Sequence, residues 1–348
     1  MKKAPSRAIN LKFLRIPIFM SLLFMLSVLS VRICQNIKMP ALNTESIGII
    51  LKTNNAINPL EESFGIFCFM QKTAEKRHAE IPSSPLSAEK EEDVSTIISK
   101  TLSPANADIP VKISNSTGVS VDINNYISSV PSFLSEDFSV LIVHTHTTES
   151  YTPSPKYAYT PTDTDRTRDD NFNVVRVGTE IKNILSQNGI NVYHDTTTND
   201  YPSYNGSYNR SRMAVENFIG RDSSVKIVLD VHRDAIVREN GEKVKYTAKI
   251  NDEDAACVML VVGSSISGLE HNNWAENLSF AAQLQKHIQS LYPDLMRPIN
   301  FRKERFNQHL APGAIIVEVG TNANTLDEAL LGARSFAKGL SDFLNNYS

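Results

Sequence analysis

Cysteine is scarce: the three in this 348-residue chain, Cys34, Cys68 and Cys257, are widely spaced and form no C-x-x-C pair. That spacing excludes a thiolate zinc site and gives no disulfide framework, although in an exported chain it leaves a bridge between two of them open. Neither sign of charge dominates. With 35 Lys and Arg against 38 Asp and Glu, the formal net charge of -3 offers no basic face for nucleic acid. There is no G-x-G-x-x-G and no P-loop, which removes nucleotide-based chemistry. The stretch Gly263-Ser-Ser-Ile-Ser-Gly268 misses the G-x-S-x-G spacing of a serine hydrolase. What is present, 41% apolar and 21% charged residues, is ordinary for a globular protein and suffices for one large domain with appendages.

The N-terminus carries Lys2, Lys3, Arg7, Lys12 and Arg15, then an apolar run from Ile16 to Val31 closed by Arg32. A basic flank before such a run orients the N-terminus to the cytoplasm and the remainder outside. The run is short for a span, but Leu14, Ile33 and Cys34 extend it, and Arg15 and Arg32 can snorkel. No A-x-A-like cleavage site follows, so residues 1–34 read as a cytoplasmic tail with an uncleaved anchor. Residues 35–107 read as a largely disordered stalk, polar and punctuated by Pro82, Pro85 and Pro104. Alternation at Val111, Ile113, Val119, Val121 and Ile123 predicts a small hairpin leading into a main domain over 108–348.

From Ser139 onward, strand-like and helix-like segments alternate. Strands are predicted at 140–143, 190–193, 225–231, 256–263 and 314–319, and helices at 173–187, 206–219, 273–291 and 326–344. The expected fold class is therefore α/β, a mostly parallel sheet with helices on both faces. In such sheets ligands bind beyond the carboxyl ends of the strands, which makes those ends the place to search.

Three strand ends carry the polar residues. The first gives His144, His146 and Glu149, and an extended backbone would put both histidines on one face. The third gives Asp230 and His232. The fifth gives Glu318, a carboxylate between Val317 and Val319 that needs a partner if buried. Zinc accounts for them together: imidazoles and Glu149 as ligands, a fourth position for water, and Glu318 as general base. Asp230 would fix the tautomer of a ligand histidine. A polar, Thr- and Pro-rich loop over 152–168 borders this region, and Arg233, Asn307 and Asn322 stand close enough in sequence to be candidates for substrate contact.

Four blocks, HTHTTESY (144–151), DDNFNVVRVG (169–178), LDVHRDA (229–235) and NQHLAPGAIIVEVGTNANT (307–325), resemble the stage II sporulation protein P family over roughly residues 110 to 345. That family is related to zinc-dependent N-acetylmuramoyl-L-alanine amidases. The resemblance implies an amidase-like domain with Zn2+ held by a first-block histidine, Glu149 and His232, and with Glu318 as catalyst. Matching residues 140–143 to the amidase strand favours His146 over His144 as the first ligand. Asp170 is the rival to Glu149, because the amidase acid stands at the start of the first helix. The resemblance further implies peptidoglycan as substrate, an added stem-peptide endopeptidase activity and a role in septal wall degradation and engulfment during sporulation. It implies a single-pass membrane protein with an extracytoplasmic catalytic domain, working beside stage II sporulation proteins D and M. Two other readings stay open: a zinc N-deacetylase of an amino sugar, since His146-Thr-Thr-Glu149 has a His-x-x-acid spacing, and a non-catalytic wall-binding scaffold.

Overall fold

The computed structural model describes residues 97–101 and 110–347, all within the unit spanning residues 85–348. The expected anchor and most of the expected stalk lie outside the described residues. Among the described residues, no helix is long and apolar enough to cross a membrane.

The core is a sheet built from β2 (Ile113–Asn115), β3 (Ser139–Val143), β4 (Val192–His194), β5 (Val225–Asp234), β8 (Val258–Val262), β9 (Ile299–Phe301) and β10 (Gly313–Thr321). Their spatial order is β2-β9-β8-β10-β5-β3-β4. Every neighbouring pair is parallel except β8 with β10, which run antiparallel. The sheet is thus mixed rather than uniformly parallel: a four-stranded parallel block meets a three-stranded one across a single antiparallel seam.

A second, smaller sheet joins β1 (Ile97–Thr101), β6 (Lys243–Ile250) and β7 (Glu253–Ala256), with β1 parallel and β7 antiparallel to β6. It differs from the expectation in two ways, since residues 97–101 fall in the range read as stalk and residues 243–256 lack an apolar run. The predicted hairpin is also absent. β2 pairs with β9 instead, and residues 123–127 form a short helix, α1 (Ile123–Ile127), capped by Asp122. Between them Asn115 closes a side-chain turn, accepting from Thr117 N and donating to Val119 O, with Gly118 at φ +81.

The principal helices are α2 (Val174–Gln187), α3 (Ser207–Arg221), α4 (Trp274–Leu291) and α5 (Leu326–Asn345). Asn173 starts α2 by accepting from Val175 N. Thr325 and Glu328 form a capping box that starts α5. Val174, Val177, Ile181 and Leu185 give α2 an apolar stripe at helical spacing. That stripe joins α4 and α5 in the main core against one face of the sheet. The opposite face is covered differently. α3 buries Val215 with Leu141, Val143 and Val228 over β3 and β5. Over β10 and β8 the same face carries Met259, Val261 and Ile316, packed only against Phe306. The half of this face without a helix is where the pocket opens.

Candidate functional site

A pocket of about 340 Å3 lies on that open face, and His146, Glu149, Arg166, His232 and Glu318 are among the residues lining it. Strand register explains the convergence: Glu318 of β10 is paired with His232 of β5, and Ile316 with Asp230, so side chains two apart on both strands share the face.

His144 and His146 do not share it. Extended backbone stops at Val143, and Thr145 folds onto Asp230, its N–H donating to Oδ1 (2.8 Å) and its hydroxyl to Oδ2 (2.6 Å). This turn divides the pair. His144 goes beneath α2, where Nδ1 meets Val231 O and Nε2 faces His194 Nε2, each at 2.9 Å. Gly178 of α2 leaves room for it, since a Cβ there would stand 2.7 Å from the His144 ring. With both nitrogens engaged by protein, His144 takes no part in the pocket cluster. Burial, then the neighbouring His194, lowers its pKa to about 3.

His146 enters the pocket. Its ring stacks on Tyr204 with 4.5 Å between centroids, the Tyr204 hydroxyl lies 3.0 Å from Nε2, and Tyr208 and His232 meet it edge-on. Its buried Nδ1 has no partner. Burial lowers its pKa to about 4 against the opposing charge of Glu149, so the ring is neutral at neutral pH.

His232 stands between two carboxylates. Nδ1 is 3.2 Å from Glu149 Oε2, and Nε2 is 2.9 Å from Asp230 Oδ1. The second approach lies outside hydrogen-bond geometry, so Nε2 remains unsatisfied. Burial opposes a charge on this imidazole, but Asp230 and then Glu149 outweigh it and hold the pKa well above the usual value. Burial likewise works against an ionised Glu149, yet His232, by charge and hydrogen bond, then Arg233 and His146, hold it well below the carboxylate range. Glu318 behaves oppositely. Its Oε2 is enclosed and unbonded, and burial, opposed by His232 and reinforced by Asp234 and Glu149, pushes its pKa up to about 8.

The three residues expected to touch substrate each bond other parts of the protein. Arg233 lines the pocket, but its Nε donates to Ser150 O and its Nη2 to Asp165 O, both at 2.9 Å. Asn307 donates to Tyr208 O and Ser211 Oγ, tying α3 to the approach to β10. Asn322 donates to Asp165 Oδ2. Asp170, the alternative acid, is exposed and accepts from Asn173.

Asp165 was not legible in advance. It adopts φ +53, accepts from Lys243 Nζ (2.6 Å) and Asn322, and offers its carbonyl to Arg233 and Ser150. It pins the 152–168 loop over the site, and the next residue, Arg166, bonds Asp200 (2.6 Å) and approaches Glu149 Oε1 to 3.7 Å. Tyr204, Tyr208 and His194 were missed as well; the tyrosine-rich run 201–208 was the only signal for the two tyrosines.

Fold and pocket together define a class: a mixed α/β domain with a buried histidine and carboxylate cluster at the carboxyl ends of its central strands. The Stage II sporulation protein P family profile matches residues 54–341. The chain belongs to that family. The stage II sporulation protein P of Bacillus subtilis is 30% identical over 217 residues, which cover 58% of this chain and 50% of that protein, so the chain spans about half the length of the relative it matches. Among solved structures, an N-acetylmuramoyl-L-alanine amidase of Nostoc punctiforme is similar at 14% identity and a TM-score of 0.35, covering 61% of this chain and 97% of its own. An N-acetylmuramoyl-L-alanine amidase from Clostridium difficile is similar at 15% identity and a TM-score of 0.37, covering 61% and 97%.

Proposed function

We propose that this protein is a zinc-dependent peptidoglycan hydrolase of sporulation, cutting the amide between N-acetylmuramic acid and L-alanine. The observation that carries the reading is Glu318, a carboxylate with an enclosed, unbonded oxygen, facing His232 and sharing a pocket with His146 and Glu149.

The donors fit a zinc ion in kind. His146 Nδ1 is buried without a partner, and His232 Nδ1 stands 3.2 Å from Glu149 Oε2. Two ligand atoms of a tetrahedral zinc with bonds of about 2.0 Å lie about 3.3 Å apart. Among the described residues no three such side chains close on one point as a finished cage. His146, Glu149 and His232 would hold the ion, which supplies Lewis acidity for amide hydrolysis.

The chain's own residues do the rest. Asp230, fixed by two bonds from Thr145, sits beside the other nitrogen of His232 and orients that ring. Glu318, with its raised pKa, takes a proton from the attacking water and returns it to the departing amine nitrogen of L-alanine. Arg166 stands 3.7 Å from the other Glu149 oxygen, Oε1, and adds a positive charge beside it. The anchor, extracytoplasmic placement, endopeptidase activity and work beside stage II sporulation proteins D and M belong to the same proposal and rest on the sequence.

The test is digestion of purified peptidoglycan by the full chain, with zinc counted per chain. About one zinc is expected, with new L-alanine amino termini as product, and with Glu318→Gln retaining zinc but losing at least ~100-fold in rate. Released acetate would replace this reading with the deacetylase. Chelator-resistant digestion, or undiminished digestion by Glu318→Gln, would refute it.

A further inference from the structure

Thr145 directly precedes His146, and Asp230 stands two residues before His232. The two bonds between Thr145 and Asp230 are the end of a longer run of polar side chains. It starts at Asn307, on the loop before β10, whose Nδ2 donates to Ser211 Oγ of α3 at 2.9 Å. Ser211 Oγ lies 2.7 Å from Thr145 Oγ1, which donates to Asp230 Oδ2 at 2.6 Å. Thr145, Ser211 and Asp230 are all buried.

The hydrogens in this run point one way. The Thr145 hydroxyl has a single hydrogen, and Asp230 takes it, so toward Ser211 its oxygen can only accept. Ser211 therefore donates to Thr145 and accepts from Asn307. A helical serine often bonds the carbonyl one turn back. Here that carbonyl, Tyr208 O, is 3.3 Å from Ser211 Oγ and already accepts from Asn307 Nδ2 at 2.8 Å. Each hydrogen has one destination, so removing one member leaves a buried neighbour unpaired. The segment that presents Asn307 is constrained as well. Phe306 adopts φ +54, rare for a bulky side chain, while packing on Met259, Val261 and Ile316 in the pocket floor.

We propose that Asn307 and Ser211 are positioning residues that act through Thr145 and Asp230 to set where His146 and His232 stand. The inference rests on the hydrolase reading above. The turn after β3, β5, α3 and the loop before β10 all meet in this run. The two histidines belong to different segments, the turn and β5, and the Thr145–Asp230 bonds join those segments beside both. Thr145 also ends the extended backbone at Val143, and that turn is what sends His146 into the pocket. Asn307 thus serves the site from behind, by bracing the turn, rather than by touching substrate.

The experiment measures zinc affinity of the full-length protein by competition with a chromogenic chelator, alongside melting of the metal-free protein. Thr145→Val removes the hydroxyl at nearly constant shape and should weaken zinc binding about ten-fold, with Thr145→Ser restoring it. Ser211→Ala should weaken it about five-fold, and Asn307→Asp, which offers Ser211 an acceptor in place of a donor, by a similar factor. The links are in series, so Ser211→Ala added to Thr145→Val should weaken zinc binding no further. Additive losses in the double variant would overturn the inference and leave the hydrolase reading intact. So would single variants that melt lower yet bind zinc within about two-fold of wild type, since the run would then be a structural brace alone. A wild type that binds no zinc would end the hydrolase reading, and this inference with it.

Discussion

At the scale of the residue, Glu318 shows how the site trades stability for chemistry. An ordinary glutamate ionises near pH 4.3, and this one is pushed up to about 8 by burial. Its folded-state pKa is raised, so its contribution to stability is full below about pH 4.3, declines as pH rises to about 8, and then stays constant. Because part of its surface faces the open pocket, the cost above pH 8 is of order 2–3 kcal/mol rather than the full value of the shift. Glu318→Gln in the metal-free protein should therefore melt several degrees above wild type at pH 8 and close to it at pH 5. Thermal melts at the two pH values check this, and an equal shift at both would show that the carboxylate is not held neutral. On the proposed reading the stabilised variant should also be the inactive one, which a digestion assay run beside the melts checks.

At the scale of the element, two helical glycines make opposite predictions. Gly332 of α5 lies against β7, and a Cβ there would stand 2.2 Å from the Ala256 carbonyl oxygen. Alanine gains about 1 kcal/mol in helix propensity, but a backbone carbonyl in a sheet does not yield, and overpacking costs about 1–3 kcal/mol. Gly332→Ala should be destabilising on balance. Gly220, near the end of α3, has nothing within 4 Å of its added Cβ, and Gly220→Ala should stabilise by about 0.5–1 kcal/mol. Urea unfolding of both variants decides it, and a stabilised Gly332→Ala would mean that α5 rides less tightly on β7 than described. This scale is also where the sequence was most readable. The starts of α2 and α5 were legible because Asn173 and Thr325 are cap residues ahead of apolar stripes. β6 and β7 were not, since Lys243, Lys245, Lys249, Glu253 and Asp254 give them no apolar run. The HxH motif was legible as a site but not as a geometry. Period-two alternation holds only while the strand lasts, and the Thr145–Asp230 bonds that end it come from 85 residues away.

At the scale of the whole molecule, the site is assembled from the first block, the 152–168 loop, β5 and β10, none of which holds it alone. Asp165, in the loop, bonds Ser150 of the first block and Arg233 of β5, and Arg166 and Asp200 clamp Thr148 and Glu149 from outside. A ligand that draws His146, Glu149 and His232 together should then stabilise the entire domain rather than one loop. At a zinc concentration a hundred times its dissociation constant the gain is about 2.7 kcal/mol. For a domain of this size that is a rise of roughly 5–10 °C in melting temperature. His232→Ala should lose the shift, and chelation should reverse it in wild type. The effect has a pH sign as well. Asp230 and Glu149 hold a proton on His232 well above its usual range, and zinc must displace it, so zinc affinity should strengthen as pH rises from 6 to 8. Titration calorimetry in buffers of differing ionisation enthalpy would measure the released proton. A melting shift that survives His232→Ala, or zinc affinity that is flat across this range, would mean that the metal, if bound, is held elsewhere and that the carboxylate–histidine cluster serves another end.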